Sequence, residues 1–133
     1  NITSVFPIIE LHNFVFRAPQ KSLSELIANN GLNRGLVTSA EIWQKPPEFY
    51  ENKLSISLEI NGSEIDSGEL WPMEGGPVSS LHWLQNHLAD HDLTILPGNI
   101  ILGGTVLGLY KVRAGDRIDV KLDGEKAVNC SIN

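Results

Sequence analysis

The dipeptide Asn61-Gly62, which follows a strictly alternating segment, constrains the fold of this chain most. Residues 54–60 read LSISLEI, which is the period-two pattern of a strand with one buried face. Asn-Gly is the strongest short hairpin signal, because both residues accept the positive φ angles of a tight two-residue turn. We therefore predict an antiparallel hairpin whose return strand includes Ile65.

Three further segments have the composition of strands. Residues 5–11 form an apolar run with one carboxylate, and Pro7 places this strand near a sheet edge or a bulge. Residues 36–43 are strand-like up to the proline pair at 46–47, which we expect to break the strand. Residues 117–122 alternate again, after an Ala-Gly-Asp turn signal.

Two short helices complete the predicted fold. Ser22 and Glu25 have the spacing of a capping box, and an Asn-Gly pair ends this predicted helix over residues 22–30. The second helix is predicted over residues 78–90, after a Gly-Pro start. Its expected buried stripe is formed by Leu81, Leu84 and Leu88. The fold class is therefore α+β and mainly β, with residues 1–133 as a single domain.

Composition excludes two classes of partner. The 133 residues are 41% hydrophobic and 20% charged, enough for one core. No apolar run approaches the roughly 20 residues that a membrane span needs. The net charge is −6, with ten scattered Lys and Arg, whereas nucleic-acid-binding domains normally carry a basic patch. We expect no membrane and no nucleic-acid partner, and a cytoplasmic location, or a periplasmic one if a leader was removed.

Histidines on the second predicted helix offer a possible metal site. His87 and His91 are four residues apart and lie about 40° apart around a helix, whereas His82 is about 140° from His87. Such a pair can bind zinc, but no third ligand is indicated. We interpret these histidines as a solvated helix flank.

The glycine pair Gly103-Gly104 marks a candidate ligand site. It follows residues 100–102, an apolar run of Ile-Ile-Leu that we predict to be a strand. Glycine at such a position indicates either a β-bulge that bends the sheet or the close approach of a ligand. Thr105 would offer its hydroxyl group to that ligand. Both interpretations stay open on the residues alone.

Four segments carry a resemblance to a known family. They read PIIEL at 7–11, IANNGLNRGLV at 27–37, GGPVSSLHWLQNHL at 75–88 and LPGNIILGGTVLGLYKVRAGDRIDVKL at 96–122. Their order resembles the C-terminal half of the 2-keto-4-pentenoate hydratase and 4-oxalocrotonate decarboxylase family, in the fumarylacetoacetate hydrolase superfamily. The resemblance implies a mixed, curled β-roll and enzymes that use Mg²⁺ or Mn²⁺ to act on short unsaturated 2-oxo acids.

The resemblance also implies site residues. Glu10 matches a metal-binding carboxylate of the family, and Mg²⁺ prefers such oxygen ligands. Asn30 lies in the segment that in the family usually reads Asp-Asn-Ala-Ser-Ser and lines the pocket. Gly104 and Thr105 match a Gly-Ser or Gly-Thr element that would hold the substrate carboxylate. Without the resemblance, Glu10 also fits a charge that protects an edge strand from aggregation.

Other residues of the family site are not found in this sequence. The family's Glu-x-Glu pair and catalytic lysine precede the matched carboxylate, and nine residues precede Glu10 here. We therefore expect a hydratase- or decarboxylase-like domain that is incomplete in this chain, with weak or absent metal binding by the chain alone; its catalytic residues, and whether it is an enzyme, stay open. The alternative is a non-catalytic module that binds a small organic acid or assembles as a homo-oligomer, and a homo-oligomer is expected in either case.

Overall fold

The computed structural model describes residues 2–16 and 20–133 of the chain. Within these ranges it contains six strands, three α-helices and two short 3₁₀ turns. In chain order they are β1 (Ile8–His12), α1 (Leu23–Ala28), a 3₁₀ turn (Asn30–Leu32), β2 (Asn33–Thr38), a 3₁₀ turn (Glu41–Trp43), α2 (Pro47–Tyr50), β3 (Ser55–Ile60), β4 (Ser63–Glu69), α3 (Gly76–Ala89), β5 (Arg117–Leu122) and β6 (Glu125–Ser131).

The larger sheet has four antiparallel strands in the order β4-β3-β5-β6. The hairpin between β3 and β4 is confirmed, since Ile60 pairs with Ser63 across the turn. Asn61 and Gly62 have φ angles of 54° and 80°, which are the positive values that this tight turn requires. The alternating strand at residues 117–122 is also confirmed, as β5.

The smaller sheet pairs β1 with β2 in antiparallel fashion. β1 starts only at Ile8, and Val5 forms an isolated bridge with Lys45 instead. The prediction that strand structure continues to Trp43 is wrong, because β2 ends at Thr38. The amide of Trp43 donates to the carbonyl oxygen of Ala40 at 3.0 Å, which closes a helical turn instead of a sheet ladder.

The predicted helices are present with shifted ends. The capping box of α1 is complete: Ser22 Oγ accepts from the Glu25 amide at 3.2 Å, and Glu25 Oε2 accepts from the Ser22 amide at 2.9 Å. α3 begins at Gly76, two residues before the predicted start, because Pro77 suits its first turn. The proline pair 46–47 does more than break a strand, since it starts the unpredicted helix α2.

The core lies on one face of the larger sheet. Tyr50 of α2 packs there and is 1% exposed, and its hydroxyl donates to the carbonyl oxygen of Trp43 at 2.5 Å. The sheet side chains of this core are Ile56, Val120, Leu122, Ala127 and Val128. Ile9 and Val37 bring the smaller sheet against the same core. The α+β, mainly β fold class is confirmed.

Residues 93–116 contain neither helix nor strand. The prediction of a strand at residues 100–102 is therefore wrong, and Ile100 is 60% exposed. A strand needs a neighbour for its backbone groups, and no strand pairs with these residues in the described structure. No helix of the described residues has the length and apolarity to cross a bilayer.

Candidate functional site

A polar cluster on the β1-β2 sheet contains Glu10. Glu10 and His12 project from the same face of β1, because strand side chains alternate. The register shifts between Leu11 and His12, which places Asn33 of β2 directly opposite His12. Side chains that face each other across an antiparallel pair are neighbours, so this irregularity brings three polar groups together.

The contacts in this cluster are short and directional. Asn33 Nδ2 donates to Glu10 Oε1 at 2.8 Å, and His12 Nε2 lies 3.1 Å from Glu10 Oε2. The side chains of Glu10 and His12 are each 28% exposed. Glu10 therefore has a fixed partner at each oxygen and is partly screened from solvent. An edge-strand charge that only prevents aggregation would need neither feature.

The turn that carries Asn30 fixes where β2 begins. Residues 30–32 all have positive φ angles, of 51°, 63° and 74°, so the chain reverses sharply after α1. Two hydrogen bonds tie this turn to the end of β1: Asn29 Nδ2 donates to the Asn13 carbonyl oxygen at 2.6 Å, and the Asn13 amide donates to the Leu32 carbonyl oxygen at 2.9 Å. Asn30 itself is exposed at the turn.

The Gly104-Thr105 element lies in residues 93–116, the irregular segment between α3 and β5. Thr105 Oγ1 accepts from the amide of Leu107 at 3.1 Å, and Leu107 packs against the core. Gly104 has a φ angle of 94°, which favours glycine. Gly103 has a different role, because a Cβ atom there would lie 2.8 Å from Cη2 of Trp71. The absence of a side chain at Gly103 therefore leaves room for the indole ring of Trp71.

Asp66 of β4 anchors the same segment. Its Oδ2 accepts from the amide of Gly108 at 2.8 Å and from the hydroxyl of Tyr110 at 2.7 Å. These bonds, the Gly108 bond first, hold the pKa of Asp66 below its ordinary value. The hydrogen bond to the Asp66 carboxylate raises the pKa of Tyr110. Sequence reasoning missed both residues, because they are 44 positions apart and neither is part of a motif.

The segments that carry the two groups of site residues are anchored to different strands. β1 and β2 contact β6, whereas Gly108 and Tyr110 bond to β4, and the sheet order puts β6 and β4 at opposite edges. Among residues 2–16 and 20–133, no hydrogen bond joins Glu10 or Asn30 to Gly104 or Thr105. The structure thus brings Glu10 together with Asn33 and His12. The joint role of Glu10 and Thr105 stays a prediction.

A cavity of about 340 Å³ lies elsewhere, at the end of the larger sheet. Its lining includes Trp43, Lys45, Phe49, Leu54, Leu122 and Asp123. None of the four residues predicted to form the site lines this cavity. The carboxylate of Asp123 already accepts from the amide and hydroxyl of Ser55 at 2.7 and 3.0 Å. It therefore links the turn between β5 and β6 to β3.

Histidines on α3 and just after it form an exposed ladder, since His91 lies two residues beyond the end of α3 at Ala89. Trp83 stacks on His87 with ring centroids 5.2 Å apart, and His87 meets His91 edge-on at 5.1 Å. Trp83 is 66% exposed. No group of three or more His, Cys, Asp or Glu side chains in the described part of the chain has the geometry of a metal site.

The Glu10 cluster has a donor set that suits part of a cation site. Glu10 supplies carboxylate oxygens and His12 an imidazole nitrogen, and both are established metal donors in proteins. The Asn33 amide holds the carboxylate in place, as outer-shell hydrogen bonds do around metal ligands. His12 was missed by sequence reasoning, because the predicted strand ended at Leu11, whereas β1 continues to His12.

Comparison with known proteins establishes the family. Residues 8–132 match the family described as fumarylacetoacetate (FAA) hydrolase C-terminal, and the chain belongs to that family. The chain is 28% identical to 2-oxo-hept-4-ene-1,7-dioate hydratase of Escherichia coli over 133 residues, which is 95% of this chain and 49% of the relative. It is 25% identical to 4-oxalocrotonate decarboxylase of Pseudomonas sp. (strain CF600), over 90% of this chain and 45% of the relative.

Solved structures give the same result for the fold. The 4-oxalocrotonate decarboxylase of Pseudomonas putida G7, complexed with calcium and acetate, matches 98% of this chain and 48% of its own with a TM-score of 0.80 and 25% identity. The same enzyme complexed with magnesium and adipate gives a TM-score of 0.84 at 24% identity. The resemblance found in the sequence is confirmed. The chain spans about half the length of these relatives.

Proposed function

We propose that this chain is part of a metal-dependent lyase that hydrates or decarboxylates short unsaturated 2-oxo acids, with Glu10 as a metal ligand. The observation that carries the proposal is the partly screened Glu10 carboxylate, fixed by Asn33 at 2.8 Å. Relatives named as a 2-oxo acid hydratase and as 4-oxalocrotonate decarboxylases support the reaction class. A decarboxylase of this fold that holds calcium and acetate supports a divalent cation beside a carboxylate ligand.

The coordination chemistry limits what this chain does alone. A bound divalent cation, Mg²⁺ or Mn²⁺ in our proposal, would supply Lewis-acid polarisation of the 2-oxo group. Such ions take about six ligands, mostly oxygens. Glu10 provides one carboxylate, so substrate, water and further donors must complete the shell. We therefore expect weak binding of the cation by the chain alone.

The Gly104-Thr105 element is proposed to bind the carboxylate of the acid. Thr105 Oγ1 accepts from the Leu107 amide, and a hydroxyl that accepts one bond still has its proton to donate. Gly104 bears no side chain, so a ligand oxygen can approach its backbone closely. Asn30, exposed on the β2 turn, is proposed as a further contact of the acid.

Calorimetry with oxalate tests the metal role of Glu10. Oxalate has adjacent carboxylate oxygens that chelate a cation as a 2-oxo acid would. We expect Mg²⁺ plus oxalate to give binding heat with the wild-type chain, and Glu10→Gln to abolish it, because the amide removes the anionic ligand. Glu125→Gln is the matched control, since Glu125 is an exposed carboxylate of β6. Equal heat from wild type and Glu10→Gln would contradict the proposal.

The hydroxyl of Thr105 is tested by two substitutions. We expect Thr105→Ala to weaken oxalate binding by about tenfold, the cost of one hydrogen bond to a charged group. Thr105→Ser keeps the hydroxyl and should bind nearly as tightly as wild type. Unchanged affinity in Thr105→Ala would remove this residue from the proposed site while leaving the role of Glu10 intact.

A second candidate function is a non-catalytic assembly module. Large apolar side chains are exposed in and around the irregular segment: Trp83 at 66%, Leu93 at 59%, Leu96 at 58% and Leu109 at 63%. Exposed apolar surface of this kind marks interaction sites. We propose that copies of the chain cover it in a homo-oligomer. Light scattering after size exclusion tests this, and a stable monomer would contradict it; an oligomer without any oxalate heat would favour the assembly module over the lyase.

A further inference from the structure

We infer that His12 is a second metal ligand beside Glu10, and that its imidazole makes the site prefer Zn²⁺ or Co²⁺ to Mg²⁺. The inference rests on the proposed function, because it assumes that a cation binds at Glu10. It goes beyond that function by assigning a nitrogen ligand and a different cation preference. The complexes of the related decarboxylase hold calcium or magnesium, which are cations that oxygen donors suit.

The distance between the two donor atoms fits a shared cation. His12 Nε2 and Glu10 Oε2 are 3.1 Å apart. Metal-ligand bonds to nitrogen and oxygen of about 2.1 Å, at angles between octahedral and tetrahedral, separate neighbouring ligand atoms by about 3.0 to 3.4 Å. The two atoms can therefore both reach one ion with little change in the side chains.

The surroundings of the pair favour a ligand role. Asn33 Nδ2 donates to the other carboxylate oxygen, Glu10 Oε1. Oε2, which His12 Nε2 now contacts, is therefore left to bind a cation. Both side chains project from the same face of one strand, and strand geometry holds them more rigidly than a loop would. Their exposure of 28% leaves open positions for water or a substrate oxygen.

The preference follows from the donor types. Imidazole suits zinc, copper, iron and nickel, whereas carboxylate, carbonyl and water suit magnesium and calcium. Affinity for a site with nitrogen donors rises along the first transition series to copper. A ligand pair of one carboxylate and one imidazole therefore favours Zn²⁺ and Co²⁺, whereas a site of carboxylates alone would not discriminate against Mg²⁺ in this way.

The test measures cation preference directly. The ladder of His87 and His91 can bind zinc on its own, so all variants carry His87→Gln and His91→Gln. Isothermal calorimetry with ZnCl₂ and with MgCl₂ compares this background with His12→Val and His12→Gln; His82→Gln is the control, an exposed helix histidine. We expect both His12 variants to lose about tenfold or more in Zn²⁺ affinity, while Mg²⁺ affinity and the His82→Gln control stay within about twofold.

A second readout identifies the ligand. Co²⁺ bound at this site should shift the His12 ring protons strongly in the nuclear magnetic resonance spectrum, and Glu10→Gln should remove the shift. Two variants guard against misfolding, since valine suits a strand and glutamine keeps a polar group. Zn²⁺ affinity that survives both His12 variants, or His12 protons that Co²⁺ leaves unshifted, would overturn the inference. If Mg²⁺ still bound through Glu10, the proposed function would stand without it; if no cation bound at all, both would fall.

Discussion

The larger sheet and residues 93–116 contain similar apolar side chains but bury them to different extents. In β5, Ile118, Val120 and Leu122 are 4%, 5% and 2% exposed, whereas Leu96, Ile100 and Leu109 of the irregular segment are 58%, 60% and 63% exposed. The difference shows that apolar content does not decide burial here. Position in the sheet goes with burial: β5 is paired on both sides and presents one face to the core, whereas Ile65 of the edge strand β4 is 43% exposed.

The same difference separates the two parts of the proposed site. The Glu10 cluster is fixed by the register of β1 and β2. The Gly104-Thr105 element is held by a few anchors: Asp66, the Gly103 contact with Trp71, and the packing of Leu107. We therefore expect the second part to be the more sensitive to single substitutions in its anchors.

Truncation of one leucine in each region tests the comparison most strongly. Leu122→Ala should lower the free energy of unfolding by about 2 to 5 kcal/mol, because it opens a cavity in the core. In the monomer, Leu109→Ala should change it by no more than about 0.5 kcal/mol, the usual range for an exposed position. Urea denaturation measures both. Similar losses in the two variants would mean that the segment is buried in the folded protein.

Two glycine substitutions test whether Gly103 packs specifically against the Trp71 ring. Gly103→Ala should lower the free energy of unfolding by about 1 to 3 kcal/mol, because its Cβ forces the Trp71 ring to move. Gly35→Ala is the control, since its Cβ would meet nothing within 4 Å and its φ angle is not positive. Trp71 fluorescence should change only in Gly103→Ala. An equal effect of both changes would contradict a specific contact.

The Asp66 anchor is tested by tyrosine titration. The chain has two tyrosines, and burial raises the pKa of Tyr50 to about 12, whereas the Asp66 carboxylate raises that of Tyr110. Asp66→Asn should lower the pKa of Tyr110 towards its ordinary value and leave that of Tyr50 unchanged. Absorbance at alkaline pH measures both, and a Tyr110 pKa unaffected by the substitution would contradict the hydrogen bond.

The pH dependence of this anchor has a definite sign. The pKa of Asp66 is lower in the folded chain than its ordinary value of 3.8. The ionised carboxylate therefore stabilises the segment at neutral pH, and the contribution is lost only as the pH falls below that value towards the folded pKa. Hydrogen exchange at the Gly108 amide should quicken, relative to the intrinsic rate, in this acidic range and not between pH 5 and 7. Constant protection down to about pH 2 would contradict it.

Local chemistry made part of the fold predictable from the sequence. The hairpin at Asn61-Gly62 and the capping box of Ser22 and Glu25 depend on residues at most a few positions apart. The prediction of a strand at residues 100–102 was wrong for a physical reason. An apolar run has the composition of a strand, but its hydrogen-bonding partner cannot be read from the run itself.

The candidate site was predictable only in part. The resemblance pointed to Glu10, whereas His12 was missed because the predicted strand stopped at Leu11, one residue short of it. Asn33 could not be assigned, because its approach to Glu10 depends on a register shift between strands whose paired residues are more than 20 positions apart. Asp66 was hidden for the same reason, since its bonds join β4 to a distant segment.

Anomalous diffraction from crystals soaked with Mn²⁺ and oxalate shows directly whether Glu10 binds the cation. We expect a manganese peak about 2.2 Å from a carboxylate oxygen of Glu10, with oxalate oxygens completing part of its shell, and no such peak in Glu10→Gln crystals. Manganese bound elsewhere, with Glu10 still bonded only to Asn33 and His12, would contradict it.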